Sequence, residues 1–176
     1  MLLVPPRLSG IIGTTADSRG APCRASSTDN NWSQCVTQGQ ANEVVNTIIE
    51  LFAHAPGANA LFADKLVEYS DSILALQGLP LTGSGFANNK AEDLAAVLDG
   101  HPLKGTQSLY VSSAGCHKIM WYFKFNEVAA AIYRVRGFEL ISLNNRSQIC
   151  EMDIKFNSIA WGLDDGELKC NTTAKV

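Results

Sequence analysis

The hydrophobic period changes once along the chain, and that change restricts the fold more than any other feature. Up to Leu98 the apolar residues recur every three or four positions, whereas from Ser108 onward they recur every second position. Between Cys35 and His54, the residues Ala41, Val45, Ile48, Ile49 and Phe52 paint one helical face. Ala55-Pro56-Gly57 stops that helix. A short helix is expected over 58–63, then an extended stretch over 67–70. Gly78, Pro80, Gly83 and Gly85 mark a long loop, and a third helix fits Lys90 to Leu98 with Leu94, Val97 and Leu98 buried. The alternating part predicts strands over 108–111, 117–125, 132–141 and 148–156, with a hairpin turn at Asn144-Asn145 and a bulge or bend at Gly137. Helices first and antiparallel strands second is an α+β order.

Composition narrows the class of protein. The 176 residues suit one domain, and 46% apolar against 18% charged residues supplies a core and argues against disorder. A net charge of −3, with no cluster of Lys and Arg, makes a poor partner for nucleic acid. No apolar run approaches the roughly 20 residues needed to cross a bilayer. Residues 1–33 lack a hydrophobic period and read as a flexible tail, followed by one domain over 34–165 and a C-terminal tail over 166–176.

Five cysteines, Cys23, Cys35, Cys116, Cys150 and Cys170, form no C-x-x-C pair and no His/Cys spacing suited to zinc. Two readings stay open on this pattern: buried free thiols, or one or two disulfides with an odd cysteine. Three glycosylation sequons, at Asn31, Asn145 and Asn171, favour the second. Met1-Leu2-Leu3-Val4 runs at once into Pro5-Pro6-Arg7, too short and broken for the apolar part of a signal peptide. The expectation is therefore retention inside the cell, another route of entry to the secretory pathway, or a true start upstream.

Several local motifs carry a family likeness. They are Cys35-Val36-Thr37-Gln38, Phe62-Ala63-Asp64 leading to Val67-Glu68-Tyr69-Ser70-Asp71-Ser72-Ile73, Gly78-Leu79-Pro80-Leu81 with Phe86-Ala87, Cys116-His117-Lys118-Ile119 with Trp121, Val135-Arg136-Gly137-Phe138, and 156–164. Over roughly 35–164 the chain resembles the fungal, mostly secreted proteins with a nuclear-transport-factor-two-like domain. The resemblance implies a cone: a strongly curved antiparallel sheet wrapped around a pocket, with helices closing the back. It implies a disulfide between Cys35 and Cys116, and secretion. It also places the chain among relatives that include dehydratases, isomerases, polyketide cyclases and pericyclic cyclases of secondary metabolism. Others bind small molecules or proteins without catalysis, so fold alone does not choose. A carboxylate usual just before Phe156-Asn157 is replaced by Lys155, and no role of that carboxylate carries over.

Within such a cone, Tyr69 is a candidate donor to a substrate oxygen, Asp71 a candidate base and His117 a candidate proton carrier. Asp71 as a cap of the turn that follows, and Tyr69 as core, are the plainer alternatives. Trp121, Tyr133 and Trp161 are candidate walls for an apolar substrate, with ordinary core packing as the alternative. Arg134 and Arg136 are expected to face solvent. No P-loop, G-x-G-x-x-G, H-E-x-x-H or Ser-His-Asp order occurs, so no metal and no cofactor is expected. The function expected is a cofactor-free cyclase, isomerase, dehydratase or hetero-Diels–Alderase acting on an apolar polyketide or terpenoid. The rival is a secreted binding module. The expected partner is an apolar small molecule, without nucleic acid or a membrane span, and a homodimer is compatible with the resemblance.

Overall fold

A computed structural model describes Cys23, residues 35–81 and residues 85–169. Asn31, Asn171 and Cys170 lie outside the described residues. Helix α1 (Gln38–Phe52) starts at Thr37 because that side chain and Gln40 cap each other: the Gln40 amide donates to Thr37 Oγ1 at 3.2 Å and the Thr37 amide to Gln40 Oε1 at 2.9 Å. The helix buries Ala41, Val44, Val45, Ile48 and Leu51. The helix expected over 58–63 is one 3-10 turn, Ala58–Leu61, and strand β1 begins at Phe62 and runs to Tyr69. Two short helices add to those expected, one where a turn is expected after Asp71 and one over 158–165, for which the periodicity predicts no element. Helix α2 (Asp71–Leu76) is capped by Ser70, whose Oγ accepts from the Ile73 amide at 3.2 Å. Helix α4 (Ser158–Asp165) is capped by Asn157, whose Oδ1 accepts from the Ala160 amide at 3.0 Å, and ends at Gly166 with φ 81°. Between them in sequence stand α3 (Lys90–Leu98), β2 (Gln107–Ser113), β3 (Lys118–Phe125), β4 (Val135–Leu143) and β5 (Ile149–Phe156).

The five strands form one curved sheet in the order β1-β5-β4-β3-β2. Strands β2 to β5 are antiparallel neighbours, as the alternation implies. Strand β1 differs: it runs parallel to β5, with Glu68 opposite Met152 and Tyr69 opposite Asp153. The α+β cone that the resemblance implies is the fold observed, and the sheet is mixed because β1 enters it along the β5 edge. Trp121, Phe123 and Phe125 project from β3 to the inner side, with ring centroids 4.8 Å apart at each step, and Phe52 of α1 covers them. Register is unbroken at Gly137, so no bulge sits there. The glycine is needed for space: a Cβ at this position would lie 2.5 Å from Phe123 Cζ and 2.6 Å from the Lys155 carbonyl oxygen.

Two disulfides clamp the fold. Cys35–Cys116 joins the segment before α1 to the β2–β3 connection, with Cα atoms 4.2 Å apart. The pairing implied by the resemblance is therefore present. Cys23–Cys150, with Cα atoms 5.5 Å apart, fastens the N-terminal segment to β5. Among the described residues, no helix is long and apolar enough to cross a membrane.

Candidate active site

Strand alternation and helical spacing deliver three acids to one point. On β1, Leu66 and Glu68 face inward; on β4, Val135, Gly137, Glu139 and Ile141 do. On α3, Asp93 shares its helical face with Val97, four residues on. Glu68, Asp93 and Glu139 line one cavity of about 20 Å³, with Ile48, Leu51 and Phe52 of α1, Val97 of α3, and Met152 and Ile154 of β5 as its apolar walls. That volume has room for about one water. Sheet register fixes the acids: Glu68 lies opposite Met152, and Glu139 sits between Trp121 and Ile154.

All three carboxyl groups are removed from solvent, at 7%, 1% and 2% exposure for Glu68, Asp93 and Glu139. Burial penalises the ionised form, so each is pushed up. Glu139 is held at about 8, by burial first and then by the Asp93 charge. Glu68 is raised well above the usual carboxylate range by burial, the Asp93 charge, a hydrogen bond with Asp93 and the Glu139 charge. Asp93 is raised by burial, and its hydrogen bond with Glu68 works against that rise. No N–H or hydroxyl reaches either oxygen of Asp93, nor Glu139 Oε2. The bond between Asp93 and Glu68 therefore requires a proton on one of them. Both values are raised, so the pair holds a proton more tightly than two free carboxyl groups would. The cluster is a protonated acid beside a carboxylate, in an apolar wall, which is the arrangement that lets one site give and take protons at neutral pH.

The residues anticipated from the sequence lie elsewhere. Tyr69, half-buried, stands on the opposite face of β1 from Glu68. Asp71 is in the first turn of α2 and pairs with Lys155 Nζ at 3.0 Å; the cap is Ser70. His117, just before β3, has its pKa lowered by partial burial and is not a wall of the cavity. Trp121 is fully buried core whose Nε1 donates to Ser108 Oγ at 3.1 Å; it approaches the site only through Phe52, on which it stacks, and its register with Glu139. Tyr133 is 45% exposed, its backbone amide held by Asp164 Oδ1 at 2.9 Å. Trp161 packs edge-on against Phe125 at 5.5 Å. Arg134 and Arg136 face outward, as expected, and Arg136 Nη1 donates to the Tyr122 hydroxyl at 3.3 Å. Asn145 is exposed at the β4–β5 turn.

The acids were missed although each carried a signal. Glu139 occupies an apolar phase between Gly137 and Ile141, Glu68 follows Leu66 by two, and Asp93 precedes Val97 by four. A charged residue in the buried phase of its element marks a site or a paired ion. On α3 the acid, not Leu98, takes the inner position; Leu98 is 48% exposed. Among the described residues no group of three or more His, Cys, Asp or Glu is arranged to hold a metal ion.

Residues 34–168 match the NTF2-like domain family, and the chain belongs to that family. No curated protein matches the sequence. A Silicibacter pomeroyi protein with a cystatin-like fold superposes with a TM-score of 0.52 at 15% identity, covering 73% of this chain and 84% of that one. Rv0760c from Mycobacterium tuberculosis, solved in complex with estradiol-17beta-hemisuccinate, gives a TM-score of 0.51 at 19% identity, covering 68% and 95%. Likeness at this level of identity fixes the fold.

Proposed function

Taking the chain as an NTF2-like domain whose cavity ends in three buried carboxyl groups, we propose that it is a cofactor-free enzyme of secondary metabolism. It moves protons within an apolar, partly oxygenated small molecule of polyketide or terpenoid type. The observation that carries this reading is three buried carboxyl groups, those of Glu68, Asp93 and Glu139, meeting in an otherwise apolar cavity. Glu139, protonated up to about pH 8, donates to a substrate oxygen. Asp93 removes a proton from a neighbouring carbon. In a dehydration, the hydroxyl leaves as water with the Glu139 proton, the C–H electrons form the new double bond, and the abstracted proton rests on Asp93. In an isomerisation the proton taken at one carbon is returned at another. In a hetero-Diels–Alder closure no proton moves, and the Glu139 hydroxyl activates a carbonyl by hydrogen bonding. A protein of the same fold, Rv0760c of M. tuberculosis, was solved with a small organic molecule, estradiol-17beta-hemisuccinate. Two disulfides and an exposed sequon at Asn145 support folding in an oxidising compartment and secretion.

Gene deletion with metabolite profiling tests the reading. Loss of a product or build-up of its precursor, restored by the wild-type gene and not by Glu139→Gln, supports it. An unchanged profile while the gene is expressed removes the enzyme and leaves the binding module.

A further inference from the structure

A cavity of about 20 Å³ does not admit a polyketide, so a wall has to move. The walls differ in what holds them. Helix α1 buries five apolar residues and is tied at its start by the Cys35–Cys116 disulfide. The sheet walls are fixed by ladder hydrogen bonds. Helix α3 buries one residue, and that residue is Asp93. Its Leu94 and Val97 are half-buried, and Leu98 is exposed. Its own side-chain ties lie at its ends, Lys90 Nζ to Asp64 at 3.0 Å and to the Phe62 carbonyl at 3.4 Å, and His54 Nε2 at 3.1 Å from the Val97 carbonyl, while the flanking backbone is hinged to the body of the fold by the Glu68 amide donating to the Ala87 carbonyl at 2.9 Å and the Leu103 amide to the Phe52 carbonyl at 2.7 Å. The titratable groups facing Asp93 are Glu68 of β1 and Glu139 of β4; α1 and β5 present Ile48, Leu51, Phe52, Met152 and Ile154.

We propose that α3 is the door of the cavity and that Asp93 is its latch, closed while a proton is held between the carboxyl groups and released when the cluster ionises. With the proton present, the carboxyl groups of α3 and the sheet share it across the helix–sheet boundary. Without it, buried like charges face each other over a small apolar contact, and the helix swings out. The latch does not rest on the enzymatic reading given above.

Hydrogen exchange read by mass spectrometry, corrected for intrinsic rates, compares peptides covering 90–98 and 38–52 at pH 6 and pH 9. Protection of α3 is expected to fall about tenfold or more between the two while α1 holds. Asp93→Asn should keep α3 closed at pH 9, and Glu139→Gln should narrow the change if the first variant fails to fold. Equal pH dependence in both helices, or an unaltered loss in the variants, overturns the latch. No substrate enters this measurement. A working latch without turnover would refute the enzyme alone, and turnover with α3 unresponsive would refute the latch alone.

Discussion

Replacing Glu139 by Gln isolates the energetic cost of placing an acid inside the cone. The folded-state value of about 8 stands above the unfolded value of 4.5, so the native state holds this proton more tightly. Stability is then greatest below the unfolded value and falls as pH rises from 4.5 through 8, by up to about 1.4 kcal/mol per pH unit for one proton. The full shift is on the order of 5 kcal/mol, undiscounted for solvent because the group is buried. Gln keeps the volume and removes the charge, and its amide has the bare oxygens of Asp93 to donate to. Urea unfolding followed by tryptophan fluorescence at pH 5, 7 and 9 reads the difference. The two proteins should lie within about 1 kcal/mol at pH 5, with the variant ahead by about 3–5 kcal/mol at pH 9. Glu68 and Asp93 still titrate in the variant, so its own slope shrinks by about one proton instead of vanishing. Parallel stability curves for the two proteins would refute the burial argument.

Other substitutions follow from the packing. Cys35→Ser with Cys116→Ser should cost about 2–5 kcal/mol, measured by calorimetry, because it frees a long loop. Trp121→Ala should cost about 3–5 kcal/mol, whereas Tyr133→Ala should stay within about 0.5 kcal/mol in the same assay, one ring being fully buried and the other at the surface. Gly137→Ala should destabilise by about 1–3 kcal/mol or more, seen as a lower urea midpoint at unchanged slope, because Phe123 and the β5 backbone have to shift.

Most of the sheet was legible because alternation along 118–125 and 149–156 is strong and each strand pairs with its sequence neighbour. Strand β1 was the exception. Its partner β5 is distant in sequence, and residue period carries no information about which remote edge a strand joins. Helices α2 and α4 are short, and their signals were the caps Ser70 and Asn157 more than any apolar stripe. The site was obscured for a related reason. Period shows which way Glu68, Asp93 and Glu139 point, but not that a strand, a helix and a distant strand converge on one cavity. His and aromatic residues are common in sites by type, but type does not separate a wall from packing, and Trp121 is packed core.

The central claim is that a carboxylic acid stays protonated at neutral pH inside this cone, next to a carboxylate that can take a proton. Carbon-13 NMR titration of the glutamate side chains, with Glu139 assigned by loss of its signal in Glu139→Gln, measures this directly. The account predicts a midpoint near 8 for Glu139, moved down by Asp93→Asn because the neighbouring charge is gone. A midpoint near the ordinary 4.5, unaffected by Asp93→Asn, would contradict it.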